Sequence, residues 1–161
     1  MRRLPPVSIA ASIGIACLLA GSEITFYEES LPSTLNPLFS RSMVDRRAQE
    51  LVFDRLFYRS AVTSEIKSRL VESWEVLSDG RQVRLTLKPG IKWHDGEPLV
   101  PEDICFTLAA MVDPGTPSPW AKAFEETIAG CEPSKRDVIV TFRKTYHNPT
   151  ERLEFPVLPR H

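Results

Sequence analysis

The stretch IKWHDGEPLVPED, residues 91–103, holds the side chains of this sequence that look best equipped for chemistry. His94, Asp95 and Glu97 supply an imidazole and two carboxylates, which elsewhere act as general acids, bases or metal ligands. Neighbouring side chains of an extended segment point to opposite faces, so His94 and Asp95 should diverge. The spacing H-D-x-E also lacks the one-turn separation of two histidines in H-E-x-x-H metal sites. The sequence therefore predicts a turn at Asp95 and Gly96, in which the Asp95 carboxylate accepts hydrogen bonds from backbone amides.

Other catalytic patterns give no stronger candidate. The sequence has no G-x-S-x-G elbow and no glycine-rich phosphate loop. We expect no catalytic residue, no metal site and no cofactor. A small hydrolase that uses His94 and Asp95 is kept as the weakest alternative.

Composition favours one globular domain and argues against nucleic-acid binding. The chain has 161 residues, of which 42% are hydrophobic and 25% charged. Its 20 basic and 21 acidic residues give a formal net charge of −1. No basic stripe stands out along the chain, and we expect no nucleic acid among its partners.

Residues 1–22 are typical of a secretory signal peptide. Arg2 and Arg3 precede a short apolar run, and AGS (20–22) places small residues where a signal peptidase cleaves. An uncleaved membrane anchor and a lipid anchor at Cys17 remain alternatives. Export would leave Cys105 and Cys131 in an oxidising compartment, where they could form a disulfide or stay as two buried thiols.

Alternating apolar residues predict β-strands, and the clearest pair flanks the turn SDG (78–80). Trp74 and Trp93 lie in this β-rich region, and we expect both rings in the core. Trp120 follows a proline-rich loop, where its ring either fills a gap or faces a ligand. The predicted strands cover residues 23–28, the region 72–93 on both sides of the SDG turn, 123–131 and 137–144.

Two helices are predicted at 42–57 and 101–112. Ser42 is a suitable N-cap for the first, with Asp45 three residues later. Its expected buried face consists of Val44, Ala48, Leu51, Val52 and Leu56. The second begins with Pro101 and two acidic residues, which suit a helix N-terminus.

The run LVESWEVLSDGRQVRLTLKPGIKWHDGEPLVPEDICFTL (70–108) resembles the signature region of extracytoplasmic solute-binding proteins of family 5. STLNP (33–37), DPGTPSPWAKAF (113–124) and FPVLPRH (155–161) extend the resemblance over nearly all of residues 23–161. These proteins serve ABC importers of oligopeptides, dipeptides and nickel. The resemblance implies an α+β fold with a mixed or antiparallel sheet and a few helices, within the first lobe of a type II, Venus-flytrap binding protein.

The resemblance also implies the site, the partners and the location. Arg41, Ser42 and Met43 match a segment whose backbone approaches the ligand, and Trp120 matches an aromatic position facing the cleft. The implied partners are a peptide or other small solute and the transmembrane permease subunits. No cofactor is implied, although nickel-binding relatives hold a chelated metal. The implied location is periplasmic or extracytoplasmic, with membrane contact only through the permease or a lipid anchor.

Family members are longer than this chain, so we expect residues 23–161 to form an incomplete, truncated first lobe with the second lobe missing. Such a lobe should show no measurable peptide affinity in calorimetry. The alternative is an exported interaction protein or a degenerate remnant that binds no solute. An orphaned half-protein should leave Leu153, Phe155 and Val157 without packing partners.

Overall fold

The structure is a computed structural model that describes residues 28, 30–77 and 80–161. The predicted signal segment, nearly all of the predicted strand 23–28 and two residues of the SDG turn lie outside these residues. Within the described ranges no helix is both long and apolar enough to cross a membrane.

The first α-helix, α1 (Met43–Glu50), begins where the sequence predicts and ends seven residues early. The Asp45 N–H donates to Ser42 Oγ at 3.0 Å, and the Ser42 N–H donates to Asp45 Oδ2 at 3.1 Å. This reciprocal pair is the expected capping box. Turn hydrogen bonds continue to Phe53, after which the Leu56 N–H donates to the Phe155 carbonyl at 2.8 Å. Pairing with a distant segment thus replaces the predicted last two turns of helix.

The predicted apolar face of α1 is wrong in part. The buried residues of the helix are Asp45 and Gln49, and Val44 and Ala48 are only half-buried. Leu51 is 73% exposed. The helix therefore turns its polar side toward the preceding loop, because Asp45 and Gln49 bind the backbone of that loop.

Four antiparallel strands form the main sheet, in which the third, fourth, sixth and fifth strands of the described chain lie side by side in that order. A separate two-stranded ribbon precedes them. The ribbon consists of β1 (Tyr58–Arg59) and β2 (Ile66–Lys67), and the sheet of β3 (Val71–Leu77), β4 (Gln82–Leu87), β5 (Ile128–Ser134) and β6 (Asp137–Phe142). The predicted α+β class, strand pair around the SDG turn and last strand are confirmed.

One face of this sheet holds the core. Period-two alternation buries one side of β4 and β6, while helix α2 (Pro101–Val112) covers that side with residues at helical spacing. The predicted bounds of α2 are confirmed. The buried set comprises Val83, Leu85, Leu87, Val138, Val140 and Phe142 from the strands and Ile104, Leu108 and Met111 from the helix.

Two aromatic residues of the β-rich region behave differently. Trp74 lies on the edge strand β3 and is 43% exposed, so the predicted core position is wrong for this ring. Its ring makes an edge-to-face contact with Phe57, with centroids 5.3 Å apart. Trp93 is half-buried and packs against the core.

Residues 123–131 are a helix followed by a strand, which corrects the predicted single strand. Helix α3 (Ala121–Thr127) precedes β5 directly. Its sequence AKAFEET is rich in good helix formers, so the local signal was present. The Phe124 N–H donates to the Trp120 carbonyl at 3.1 Å and closes the first turn.

The segment 153–157 lies in the core, contrary to the expectation for an orphaned half-protein. Leu153 is fully buried, and Phe155 and Val157 are 2% and 1% exposed. The Val157 N–H donates to the Asp54 carbonyl at 3.1 Å, so this segment runs beside the chain that leaves α1. A short 3-10 helix, Pro149–Leu153, leads into it.

A disulfide joins the helix layer to the sheet. Cys105 of α2 and Cys131 of β5 are bonded, with Cα atoms 5.4 Å apart and a sequence separation of 26. The disulfide alternative is therefore confirmed over two free thiols. A crosslink over such a loop stabilises a small domain mainly by restricting its unfolded chain.

Replacing both cysteines with alanine should lower the free energy of unfolding by about 3 kcal/mol, because the unfolded chain regains the entropy of the open loop. Urea denaturation followed by circular dichroism measures the change. The unmodified chain under dithiothreitol is the matched control and should lose a similar amount. A double variant as stable as the oxidised chain would show that the two sulfurs are not joined.

Candidate functional site: a groove beside Trp120

The turn around His94 is built as the sequence predicts. The Glu97 N–H donates to Asp95 Oδ1 at 3.1 Å, and Gly96 has a φ of +94°, which favours glycine. The imidazole of His94 is exposed, whereas Asp95 Oδ2 lies 2.7 Å from His161 Nε2. The hydrogen bond from the Glu97 amide, together with His161, holds the pKa of Asp95 below its ordinary value. In the described ranges no group of three or more His, Cys, Asp or Glu side chains could hold a metal ion.

The acidic residue that organises this region is Asp103, at the third position of α2. Its carboxylate accepts hydrogen bonds from the Trp93 indole at 3.0 Å, from the Val100 N–H at 3.0 Å and from the Arg160 N–H at 2.8 Å. Asp103 is 1% exposed. Through these hydrogen bonds Asp103 connects the side chain of Trp93, the N-terminus of α2 and the backbone of Arg160. The sequence assigned it only to the helix dipole, so this role was missed.

A groove of about 370 Å³ opens between α1, α3 and the segment 151–156. Its apolar part is formed by Trp120, Phe124 and Phe155, the last two in edge-to-face contact with ring centroids 5.6 Å apart. Its charged part includes Arg46 and Glu154. Apolar walls with a few polar groups are typical of small-molecule sites.

Trp120 lies in this groove, so the structure places the predicted aromatic residue in a cavity wall. The guanidinium of Arg46, on α1, lies 4.6 Å from the centroid of its ring. Such a contact is favourable and fixes the orientation of both groups. Arg46 is therefore the residue through which α1 reaches Trp120. Sequence reasoning missed Arg46, because no local pattern distinguishes it from its neighbour Arg47.

The other predicted site residues, Arg41, Ser42 and Met43, are exposed and lie outside the groove lining. The N–H groups of Arg41 and Ser42 donate to Asp45 Oδ2 at 3.3 and 3.1 Å. These two amides are thus engaged by the protein, although they were predicted to pair with an extended ligand. The groove is instead lined by residues on either side of this segment, Ser40 and Arg46.

The carboxylate of Asp45 fixes the loop that borders the groove. Asp45 is fully buried, and Oδ1 accepts hydrogen bonds from the Ser33 N–H at 2.6 Å and the Ser33 hydroxyl at 3.0 Å. Burial alone would raise its pKa, but the hydrogen bonds from Ser42, Ser33 and Arg41 outweigh burial and hold that pKa far below its ordinary value. The carboxylate is therefore ionised at neutral pH.

Two lining residues keep buried polar atoms unpaired. Ser40 Oγ and Arg55 Nε are the buried side-chain atoms, among those the structure describes, that have no hydrogen-bond partner. Buried polar atoms are usually satisfied, and exceptions are often found at functional positions. Both residues line the groove beside Trp120.

Replacing His94 with alanine should change the free energy of unfolding by less than about 0.5 kcal/mol, because its side chain is exposed. Replacing Asp103 with alanine should cost at least about 2 kcal/mol, because three donors lose their shared acceptor. Urea denaturation of both variants measures the contrast. Equal losses would contradict the assignment of Asp103 as the organising residue.

Replacing Asp45 with asparagine should lower stability at neutral pH, because the amide carries no charge for the converging donors. An aspartate in the unfolded chain has a pKa of about 4, and the pKa of Asp45 in the folded chain lies below that value. The stabilisation is therefore complete above about pH 4 and is lost as the pH falls toward the folded pKa. The difference between the variant and the original chain should therefore shrink on acidification. Urea unfolding at several pH values measures it.

Asp54→Asn is the matched control for Asp45, because the Asp54 carboxylate forms an exposed ion pair with Arg69. We expect this control to change stability little at any pH. The difference in stability between the Asp45 variant and the original chain could instead stay constant down to the most acid pH at which the chain folds. That result would refute the stabilising role of the ionised Asp45 carboxylate.

Known proteins with similar sequences and structures are much longer than this chain. "Probable deoxycholate-binding periplasmic protein YgiS" of Escherichia coli K12 is 30% identical over 116 residues, which are 70% of this chain and 21% of that protein. "Dipeptide-binding protein" of the same organism is 28% identical over 101 residues, 58% of this chain and 19% of its own length. The chain therefore spans about a fifth of these curated relatives.

A solved structure shows the same arrangement of elements. NikZ from Campylobacter jejuni, in complex with Ni(L-His), matches with a TM-score of 0.70 and 27% identity, over 83% of this chain and 26% of NikZ. A family model described as "Bacterial extracellular solute-binding proteins, family 5 Middle" matches residues 65–160, more than half of the sequence. The family model and the relatives show that the chain belongs to the bacterial extracellular solute-binding proteins of family 5.

Proposed function

We propose that this chain contributes one wall of the solute-binding cleft of an extracytoplasmic binding protein that delivers peptides or other small solutes to an ABC importer. Residues 1–22 would direct export, and residues 23–161 would form part of the first lobe. Its partners would be the solute and the transmembrane permease subunits. Contact with the membrane would be made through the permease or a lipid anchor.

The observation that carries this proposal is the groove beside Trp120. It combines an aromatic wall with charged groups on a rigid scaffold, which suits a small solute with apolar and ionic parts. The surrounding loop is fixed before any ligand arrives, because Asp45 binds it from within. A preorganised wall reduces the entropy lost on binding.

The relatives point to a class of solute. Their names and titles mention deoxycholate, a dipeptide and nickel-bound histidine. These ligands differ in size and shape, and each carries a carboxylate. Peptides remain the preferred proposal, because a dipeptide fits both the apolar and the charged parts of the groove. The exposed side chains of Arg41 and Met43 would extend the contact beyond the groove.

The proposal of a non-binding exported interaction protein has less support. Exposure of Leu153, Phe155 and Val157 was expected of an orphaned half-protein, and all three are buried, which argues against a degenerate remnant. Some of the exposed apolar residues lie around α1, where Leu31 is 91% and Met43 is 59% exposed. A surface patch of this kind is compatible with either proposal, whereas the groove favours solute binding.

Replacing Trp120 with alanine should weaken peptide contact about tenfold, because an aromatic wall of the groove is lost. The full chain, titrated with millimolar di- and tripeptides, is followed by nuclear magnetic resonance of its backbone amides. Amides of the groove should shift at millimolar and not micromolar concentrations, because in two-lobed binding proteins lobe closure supplies much of the affinity.

Trp74→Ala is the matched control, because this ring is exposed on β3 and does not line the groove. It should leave the peptide-induced shifts unchanged. Circular dichroism checks that both variants fold. An absence of shifts in the original chain, or equal shifts in the Trp120 variant, would overturn the proposed function.

A further inference from the structure

Arg46 differs from Arg55 and Arg59, the other arginines near the groove, in that it forms no ion pair with a described residue. Arg55 pairs with Glu50 at 2.8 Å, and Arg59 pairs with Glu151 at 3.0 Å. Across the described part of the chain, no carboxylate lies within ion-pair distance of Arg46. Its contact within the groove is with the face of Trp120. The half-buried cation therefore lacks an anion from the protein.

The guanidinium of Arg46 lies over the ring of Trp120, and none of its N–H groups has a hydrogen-bond partner among the described residues, so these donors are available. A guanidinium is planar, and its N–H donors lie in the plane, so a ring below one face does not occupy them. Stacking on Trp120 also restricts the long side chain before a ligand binds. The N–H groups of a guanidinium bind a carboxylate through two parallel hydrogen bonds, which are stronger than bonds between neutral groups.

The surroundings of Arg46 suit a carboxylate attached to an apolar body. The aromatic wall of Trp120, Phe124 and Phe155 lies in the same groove. Glu50 and Glu151 also line it, but both are already paired with arginines. Glu154 lines the groove as well and carries the opposite charge to Arg46, as an ammonium group of a zwitterion would require.

We infer that Arg46 is the specificity-determining residue for a carboxylate on the solute. The N–H groups of its guanidinium would bind this carboxylate beside Trp120. This inference rests on the proposed function, since it concerns the same groove. It assigns the class of solute, a carboxylate-bearing molecule with an apolar group, to a named side chain of α1. Trp120 then acts in two ways, as an apolar wall for the solute and as the surface that orients Arg46.

The test compares glycyl-phenylalanine with glycyl-phenylalanine amide, which differ only in the carboxylate. The full chain is titrated with each probe, and the indole N–H resonance of Trp120 reports binding. The acid should bind about tenfold more tightly than the amide, because only the acid forms charge-assisted hydrogen bonds. Arg46→Met should abolish this preference, because the acid then loses its charge-assisted hydrogen bonds and binds no more tightly than the amide.

Arg47→Met is the matched control, because Arg47 is the next residue of α1, is exposed and pairs with Glu28 at 2.8 Å. It should keep the tenfold preference. A purely structural role of Arg46 in holding Trp120 would weaken both probes alike, and that result would overturn the inference. If Arg46→Met does not fold, Arg46→Lys replaces it, and the preference should fall because lysine lacks paired donors.

The outcomes separate this inference from the proposed function. Equal affinity of the original chain for both probes would overturn the role of Arg46 and leave the groove as a solute site. A preference that persisted in the Arg46 variants would do the same. An absence of any effect on Trp120 with either probe would overturn the proposed function, and the inference with it.

Discussion

The buried carboxylate of Asp45 holds together the part of the molecule on which the groove depends. It accepts hydrogen bonds from Ser33 on one side and from Arg41 and Ser42 on the other, so one side chain fixes the loop that crosses in front of α1. An ionised carboxylate is stable in a buried position only when donors surround it. The loop depends on the carboxylate in turn. It lacks regular structure for most of its length, and the hydrogen bonds to Asp45 order it.

Asp103 has the same role at the N-terminus of α2. Both residues occupy the third position of a helix. Each accepts a hydrogen bond from the N–H of the residue directly before that helix. Both also bind segments that are distant in sequence, as Asp103 does with Arg160. In this fold, the acidic residues that cap helices also hold loops against them by hydrogen bonds. The disulfide adds a covalent link between α2 and the sheet.

The groove arises where these joined elements meet. Asp45 positions α1, and α1 carries Arg46 to the ring of Trp120 at the start of α3. The segment that contains Phe155 completes the wall, because it pairs with the chain leaving α1. No single element contains the site, so a change in any of the three would alter its shape.

The sequence by itself determined the bounds of α2, the capping box at Ser42 and the turn at Asp95, because short-range hydrogen bonds and periodicity decide each of them. The α+β class was implied by the resemblance of residues 70–108 to a known family. The sequence also indicated Trp120. Only the tertiary structure decided where α1 ends, which of its faces is buried and that Arg46 meets Trp120. These features depend on contacts between segments far apart in the chain, as when Phe155 binds Leu56. Local propensity cannot specify such contacts, because the competing long-range hydrogen bonds and burial form only when the chain folds.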